Sequence, residues 1–333
     1  MGEFELLAAL LERLPAPGPQ VAVGSGDDAA VTVPGGATAT SVDAVVDGVH
    51  FRRGDADPEQ IGHKALATAL SDLAAMGAQA GEAYVVAGLP PDLGEEEFLA
   101  LLDGMLALAA ETGTTLAGGD LIRAPVLTLA LTVVGHAPGP EQLITRVGAE
   151  PGDALVLSGE LGGAAAGLLL LERPELAAAV PPETAERLRR RQLEPMPRLR
   201  TGQALAAAGA RAMIDLSDGL AGDARHLAAA SGAGLRIDAA ALPLARGVAE
   251  IAAAAGRNPL ELAASGGEDY ELLAALPPQQ LSAASSAIGE AAETMLTPIG
   301  EVGAGEGLEI RLPDGELLRA AGYDQLRSSP ERW

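Results

Sequence analysis

The chain repeats one local pattern, in which a short apolar run passes through glycine or serine into an aspartate. Residues 21–30, VAVGSGDDAA, show the pattern most fully, with Asp27 and Asp28 after two glycines. Because glycine adopts backbone conformations that other residues avoid, this spacing predicts a strand that ends in a loop. Neighbouring carboxylates repel each other unless a cation lies between them. A single Asp-Asp pair is typical of a solvated turn, so a metal site is favoured only if the pattern recurs.

The pattern recurs along most of the chain. The acids beside glycine or serine at apolar runs are Asp43, Asp47, Asp72, Asp120, Asp215, Asp218, Glu268 and Asp269. Acids from several strand ends can converge on one cleft, and Mg²⁺ prefers carboxylate oxygens together with substrate phosphates. Several Mg²⁺ ions in one cleft suit phosphoryl transfer, in which catalysis is mostly positioning and charge neutralisation. The repetition therefore predicts a magnesium-dependent site for phosphate chemistry.

Charge and composition exclude several classes of binding partner and of chemical site. Asp and Glu number 46 against 22 Lys and Arg, which gives a formal net charge of −24. This excess argues against nucleic acid or an anionic membrane as partner, whereas bound Mg²⁺ still permits an anionic substrate. The chain has no cysteine, which excludes disulfides, thiolate metal sites and cysteine nucleophiles. Lys64 is the only lysine and no G-x-x-x-x-G-K-[ST] loop occurs, so metals and arginines must hold the phosphates of any ATP.

The N-terminus has the pattern of an acidic amphipathic helix, whereas a targeting segment would place basic residues before an apolar run. No apolar run reaches the roughly 18 residues that are needed to cross a bilayer. We therefore expect a cytoplasmic protein without a membrane anchor.

Apolar periodicity predicts an alternation of helices and strands. The predicted helices are residues 4–14, 59–77, 95–112 and 219–231, and the predicted strands are 21–23, 38–42, 80–89, 114–117, 126–136, 154–159, 211–216 and 234–238. This order is typical of α/β proteins. Together with the length of 333 residues and the Pro-Gly breaks near residues 138–140 and 151–152, it predicts two α/β domains, 1–137 and 145–333.

Four further features have ordinary structural interpretations. The basic stretch 187–200 is interpreted as a solvated helix face followed by a turn. The glycines after strand 154–159 predict a tight turn into a helix; they lack the dinucleotide-binding spacing, although the helix N-terminus could bind an anion. Ser217 suits a helix N-cap with Asp218 just inside the helix, but a cap does not account for Asp215 at the strand end. His63, His136 and His226 are predicted to be structural.

The longer motifs resemble those of thiamine-monophosphate kinases, which belong to the aminoimidazole-ribonucleotide synthetase superfamily. The matching segments follow one another over nearly the whole chain: GSGDDAA, SVDAVVDGVHF, KALATALSDLAAMGA, AGGDLIRAP, TRVGAEPGD, IDLSDGL, SGGEDYEL and GYD. The resemblance implies that ATP and thiamine phosphate give ADP and thiamine diphosphate. It also implies a homodimer whose N-terminal α/β halves pair their sheets, with an α/β C-terminal half.

The resemblance also implies roles for particular residues. The implied Mg²⁺ ligands are Asp28, Ser41, Val42, Asp43, Asp72, Asp120, Asp215 and Asp218. The implied nucleotide contacts are Gly119, Asp120, Arg146 and Ser217, and the implied thiamine-phosphate contacts are His50, Glu268 and Tyr323. The family usually has threonine where this chain has Val42: if the ligand there is the main-chain carbonyl, little changes, and if it is the hydroxyl, one metal contact is lost. The family also commonly has two threonines at Leu121-Ile122, which leaves the local nucleotide contacts open. Asp47 is predicted to be structural.

Three alternatives stay open from the sequence. One is another enzyme of the superfamily, which would make phosphoribosyl-aminoimidazole or selenophosphate; the N-terminal cysteine or selenocysteine of the selenophosphate enzyme is missing here. A second is a phosphohydrolase with clustered aspartates, which would release phosphate without ATP. A third is an acidic cation-binding or dimerisation module, which would bind metal but not nucleotide.

Overall fold

The computed structural model describes residues 3–25, 29–292 and 294–323. By its internal contacts the chain forms two compact units, one of Met1–Leu73 with Ala78–Leu143 and one of Ala74–Gly77 with Ile144–Trp333. Each unit contains a β-sheet and helices, so the predicted α/β class with two domains is confirmed. Within the described ranges no helix is long and apolar enough to cross a membrane.

In the part of the first unit that the structure describes there are three helices and six strands. They are α1 (Glu3–Arg13), β1 (Val21–Val23), β2 (Val31–Thr32), β3 (Ala37–Val46), α2 (Pro58–Ala75), β4 (Gln79–Leu89), α3 (Glu95–Thr112), β5 (Thr115–Arg123) and β6 (Thr128–Ala137). The last residues of α2 group with the second unit.

The main sheet of the first unit has four strands in the order β3-β6-β4-β5, so β3 and β5 are at its opposite edges. Leu129, Leu131 and Val133 of β6 alternate toward the core and are at most 1% exposed. Helices α2 and α3 cross closely, because a Cβ on Gly62 or on Gly104 would overlap main-chain atoms of the other helix. Glycine at both positions therefore permits the close approach of the two helices.

Two predicted strands are too short. The strand predicted at 38–42 continues to Val46, and the strand predicted at 114–117 continues through Gly118 and Gly119 to Arg123. Asp43 and Asp120 therefore lie inside edge strands, and the prediction that they follow strand ends is wrong. Gly119 does not end its strand because its backbone pairs closely with β4: a Cβ there would overlap the carbonyl oxygen of Val85.

The second unit contains seven helices and six strands among its described residues. They are β7 (Ala154–Ser158), α4 (Gly163–Glu172), α5 (Pro182–Leu193), α6 (Leu199–Ala207), β8 (Ala212–Asp215), α7 (Leu220–Ser231), β9 (Gly234–Asp238), α8 (Val248–Ala254), α9 (Pro259–Ser265), β10 (Leu272–Leu276), α10 (Leu281–Ala292), β11 (Leu296–Gly303) and β12 (Gly307–Arg311).

The six strands of the second unit form one sheet in the order β12-β9-β11-β7-β10-β8. Only the pair of β9 and β12 is parallel. Every residue of β10 is buried, and the side chains of residues 155–158 on β7 are fully buried. Continuous apolar runs of this length are expected for strands that are covered on both faces. Asp215 ends β8, as predicted, and is 3% exposed at the point where the strand passes into the loop that follows.

Candidate active site

An acidic group lies where β3 packs against α2 in the first unit. The Ser41 hydroxyl donates a hydrogen bond to Asp72 near the end of α2. Asp43 accepts hydrogen bonds from its neighbour Ala44 N, at 2.7 Å, and from Thr68 of α2. Burial raises the pKa of Asp43 above its usual range, and the nearby charge of Asp72 raises it further. Three of the predicted metal ligands are thus brought together, and their two carboxylates repel each other in the way that a cation would relieve.

His50 is close to the same acidic group. Its Nδ1 accepts a hydrogen bond from the main-chain N of Val46 at 3.1 Å, and the proximity of the ring acts to lower the pKa of Asp43, against the dominant effect of burial. With Nδ1 as acceptor, the neutral imidazole carries its proton on Nε2. This predicted substrate contact therefore has a donor beside the predicted metal ligands.

Asp120 is remote from this group within one chain. One row across the sheet consists of Asp43, Leu131, Val85 and Gly119. The row crosses all four strands, so the Asp43 and Gly119 backbones are about 14 Å apart, at about 4.8 Å per strand. Asp120 is one residue further along β5, and its side chain therefore leaves the opposite face. The sheet separates two residues that were predicted to share a cleft.

The face of the sheet that carries Asp120 is exposed in the single chain. Val42, Val86 and Ile122 alternate onto this face and are 70%, 41% and 48% exposed. The side chain of Val42 therefore points away from Asp43, and of Val42 only the main chain can contribute to the acidic group. The valine therefore removes no contact to the acidic group, because the hydroxyl of the threonine that the family usually has at Val42 would not reach Asp43.

A cavity of about 680 Å³ lies inside the first unit. Its wall includes apolar side chains of α1, of the residue that follows α1 and of α3, among them Leu10, Leu14, Phe98, Leu102 and Met105. The predicted nucleotide contacts Gly119 and Asp120 form part of the same wall. A concave, mostly apolar pocket of this size with a few polar groups is typical of a small-molecule site. No local sequence pattern indicates this cavity, because α1 and α3 are far apart in the chain.

A second acidic group lies in the second unit, after β8. Burial raises the pKa of Asp223 to about 8, and the charges of Asp215 and Asp218 add to this shift. The Asp218 amide donates to Asp223 Oδ2 at 3.1 Å, and the charge of Arg146 acts on Asp223 in the opposite sense. Two predicted metal ligands and a predicted nucleotide contact therefore surround a third acid that the sequence analysis did not select. Asp223 is in the first turn of α7, five residues after Asp218, and this spacing is the sequence signal that could have identified it as part of the group.

Two other segments bring predicted residues to the same place: the loop between α9 and β10 carries Glu268, and the segment after β12 carries Tyr323. Glu268 N donates to the Ser217 carbonyl oxygen at 2.9 Å, and Tyr323 N donates to the Asp218 carbonyl oxygen at 2.9 Å. Ser217 is not the helix N-cap that was predicted, because α7 begins at Leu220 and its N-cap is Gly219. The main chain thus holds Ser217, Asp218, Glu268 and Tyr323 side by side.

Two buried acids anchor this loop. Asp269 accepts hydrogen bonds from Gly162 N at 2.7 Å and Ala164 N at 3.1 Å, at the start of α4. Burial raises its pKa to about 6, although both amides lower it. The helix N-terminus considered as an anion site is therefore occupied by a side chain of the protein itself, which corrects that expectation.

Glu271 is fully buried and bonds to residues of the basic stretch 187–200. Its carboxylate accepts from Arg198 Nε at 2.8 Å, from Arg191 Nη2 at 3.4 Å and from Ser158 Oγ at 2.7 Å. Arg198 and Arg191 are only 19% and 27% exposed in their side chains. The interpretation of the whole stretch as a solvated helix face is therefore wrong for these two arginines.

Asp28 lies outside the described residues, as does Asp324 of the GYD motif. Among the residues that are described, no group of three or more His, Asp or Glu side chains is arranged so as to enclose a metal ion. Mg²⁺, however, is commonly held by one or two carboxylates, waters and substrate phosphates. The donors of each acidic group are all oxygen atoms, and this chemistry fits Mg²⁺.

The chain matches two family models and curated relatives among known proteins. Residues 26–137 match the family model for the AIR synthase related protein N-terminal domain, and residues 150–313 match the C-terminal domain model. A curated relative from Escherichia coli O157:H7, a thiamine-monophosphate kinase, is 39% identical over 330 residues, which cover 97% of this chain and 98% of the relative.

Solved structures agree with that comparison. The crystal structure of thiamine-monophosphate kinase from Stenotrophomonas maltophilia K279a matches with a TM-score of 0.81 and 35% identity, and covers 95% of this chain and 96% of that one. A structure of AaThiL complexed with AMPPCP and TMP matches with a TM-score of 0.75 and 31% identity, and covers 86% of each chain.

Proposed function

Since the chain belongs to the thiamine-monophosphate kinase family, within the AIR synthase related proteins, we propose that it phosphorylates thiamine monophosphate to thiamine diphosphate with ATP. The observation that carries the proposal is the match to AaThiL complexed with AMPPCP and TMP, over 86% of both chains. The acidic groups and the apolar cavity of this chain are consistent with it. An ATP-dependent reaction of this kind is expected in the cytoplasm.

The proposal is tested by incubating the protein with Mg-ATP and thiamine monophosphate and separating the products by chromatography. We expect thiamine diphosphate and ADP in equal amounts. Release of inorganic phosphate from thiamine monophosphate without ATP would instead identify a phosphohydrolase, and metal binding without turnover would identify a cation-binding module.

We further propose that Mg²⁺ is held by the two acidic groups. Ser41, Asp43 and Asp72 would hold it in the first unit, with Asp28 from the part of the chain that is not described. Asp215 and Asp218 would hold it in the second unit, with Asp223 behind them. Bound Mg²⁺ would neutralise the charge that two phosphate-bearing substrates share.

The transfer itself is proposed to be direct. A phosphate oxygen of thiamine monophosphate attacks the γ-phosphorus of ATP, a new P–O bond forms, and the bond from γ-phosphorus to the bridging oxygen breaks as ADP leaves. The attacking phosphate is ionised near neutral pH, so the reaction needs no strong general base. His50 would orient that phosphate by donating from Nε2, while Arg146 and Ser217 would contact the nucleotide.

The protein is proposed to act as a homodimer through the sheet of the first unit. Support comes from the exposed valines and isoleucine on one face of that sheet, and from its two edges, because exposed edges and apolar faces are usually covered by a partner. A dimer would also place β5 of a second copy beside β3, so that the partner's Asp120 completes the acidic group around Asp43. Light scattering should give the dimer mass at micromolar concentration; a monomer mass would contradict the proposal.

The cavity of the first unit is proposed to hold the adenine base of ATP, because it is apolar and borders Gly119 and Asp120. Replacing Leu102 by tryptophan should fill part of it and raise the KM for ATP at least about tenfold, since a bulky side chain would occupy ligand space. The KM for thiamine monophosphate should change less than about twofold. Steady-state kinetics with each substrate varied in turn measures both values.

Leu106 provides a matched control for this substitution. It is on the same helix, α3, but is not part of the cavity wall. Leu106→Trp should leave the KM for ATP within about twofold of the unsubstituted protein. Equal ATP KM values for the Leu102 and Leu106 variants would show that the base binds elsewhere.

A further inference from the structure

The loop that carries Glu268 has a strained backbone. Glu268 and Tyr270 have φ values of 66° and 49°, in the left-handed region that side chains other than glycine rarely adopt. Such strain persists where surrounding contacts over-determine the conformation, and it is concentrated at ligand-binding sites. Here the over-determining contacts are those of Asp269 and Glu271, the two buried anchors that flank Tyr270.

The anchors leave Glu268 as the one acid of the loop with a half-exposed side chain. Asp269 and Glu271 are 7% and 0% exposed. The main chain around Glu268 is fixed from two directions, because Glu268 N donates to Ser217 and Tyr270 N donates to the Leu216 carbonyl oxygen at 3.0 Å. The direction of the Glu268 carboxylate then depends on what its own oxygens contact.

Gln192 supplies one such contact. Its Nε2 donates to Glu268 Oε2 at 2.5 Å, and Gln192 is only 4% exposed, near the C-terminal end of α5. The preceding residue, Arg191, contacts the anchor Glu271, so one turn of α5 holds both the anchor and Glu268. A hydrogen bond to an ionised carboxylate is stronger than one between neutral groups. With Oε2 held by Gln192, the orientation of the whole Glu268 carboxylate is restricted.

We propose that Gln192 is a positioning residue that sets the affinity for the acceptor substrate by holding the Glu268 carboxylate. The proposal rests on the proposed function, together with the contact between Glu268 and thiamine monophosphate that the sequence predicts. A fixed carboxylate oxygen suits an amino group on a heteroaromatic ring, because a preorganised acceptor loses little freedom when the donor arrives. Gln192 itself need not touch the substrate.

The test is a double-mutant cycle with Gln192→Ala, Glu268→Ala and the two combined. Gln192→Ala should raise the KM for thiamine monophosphate roughly tenfold, as expected for a lost hydrogen bond to a charged group, with kcat and the KM for ATP within about twofold. In the Glu268→Ala background the same change should add less than about twofold, because the group through which it acts is gone.

Two further variants distinguish a positioning effect from a folding defect. Gln192→Glu keeps the shape but faces Glu268 with a like charge, so it should raise the KM for thiamine monophosphate more than alanine does. Gln279→Ala makes the alanine change at an exposed position and should leave all constants unchanged. Thermal melting shows whether each variant is folded.

The outcomes separate the inference from the proposed function. If the unsubstituted protein forms no thiamine diphosphate, both fail. If it does, and Glu268→Ala raises the KM for thiamine monophosphate while Gln192→Ala and Gln192→Glu do not, only the inference fails. An equal effect of Gln192→Ala with and without Glu268 would show that Gln192 supports the fold and does not act through Glu268.

Discussion

Replacing Asp43 by asparagine should lower kcat by about a hundredfold to a thousandfold, the usual cost of removing one preorganised group that stabilises transition-state charge. The side chain is half-buried beside Asp72, and burial with that neighbouring charge raises its pKa. Asparagine keeps the oxygen that accepts from Ala44 N but removes the charge. The folded protein should therefore be as stable as before, or more stable, when Mg²⁺ is chelated, because a buried repulsion is relieved.

Kinetics in Mg²⁺ and thermal melting in chelator measure the two effects separately. Asp47→Asn is the matched control: Asp47 follows the same strand and accepts a hydrogen bond from Arg53 N at 3.3 Å, outside the acidic group. We expect it to change kcat less than about tenfold. Near-normal turnover in both Asp43→Asn and Asp72→Asn would contradict the magnesium assignment for the first unit.

Mixing two inactive variants, Asp43→Asn and Asp120→Asn, should restore about a quarter of the normal activity. The two residues are at opposite edges and on opposite faces of one sheet, so a site that uses both must take Asp120 from a second copy. Random exchange makes half of the dimers mixed, and each mixed dimer has one site with both aspartates intact. Co-expression of the two variants with different affinity tags yields the mixed dimer directly.

A mixture of Asp43→Asn with Asp72→Asn is the control for this experiment. Ser41 donates to Asp72 within one chain, and the charge of Asp72 acts on Asp43, so both aspartates belong to one group of one protomer. Every site of their mixed dimer is damaged once, and no activity should return. Absence of recovery with the Asp120 variant as well, in verified mixed dimers, would show that Asp120 does not complete the partner's site.

The local sequence pattern predicted the helices and strands better than it predicted which residues surround the candidate site. The α/β class, the helix at 95–112 and the strand that ends at Asp215 follow from apolar periodicity, which local spacing records directly. The lengths of the edge strands do not follow from apolar periodicity. The Gly-Gly pair before Asp120, for example, is equally compatible with a turn and with an edge strand. Because both edge strands are longer than predicted, the predicted ligands Asp43 and Asp120 lie inside strands and not at their ends.

Contacts between distant residues left no local signal. Glu271 meets Arg198 from 73 positions away, and His136 meets Glu82 from 54 positions away at 2.7 Å. His136, which was predicted to be structural, is thus buried against an acid that the sequence analysis did not consider. Such buried polar groups are stable only when the fold brings both partners together, so these pairs cannot be predicted from either segment alone.

The central claim is that this chain moves the terminal phosphoryl group of ATP onto thiamine monophosphate. Its most direct measurement uses ATP labelled in the γ-phosphate, with Mg²⁺ and unlabelled thiamine monophosphate, and follows the label by chromatography. We predict that the label appears in the terminal phosphate of thiamine diphosphate, one for each ADP formed. Label found only in inorganic phosphate, or ADP formed at the same rate without thiamine monophosphate, would contradict the claim.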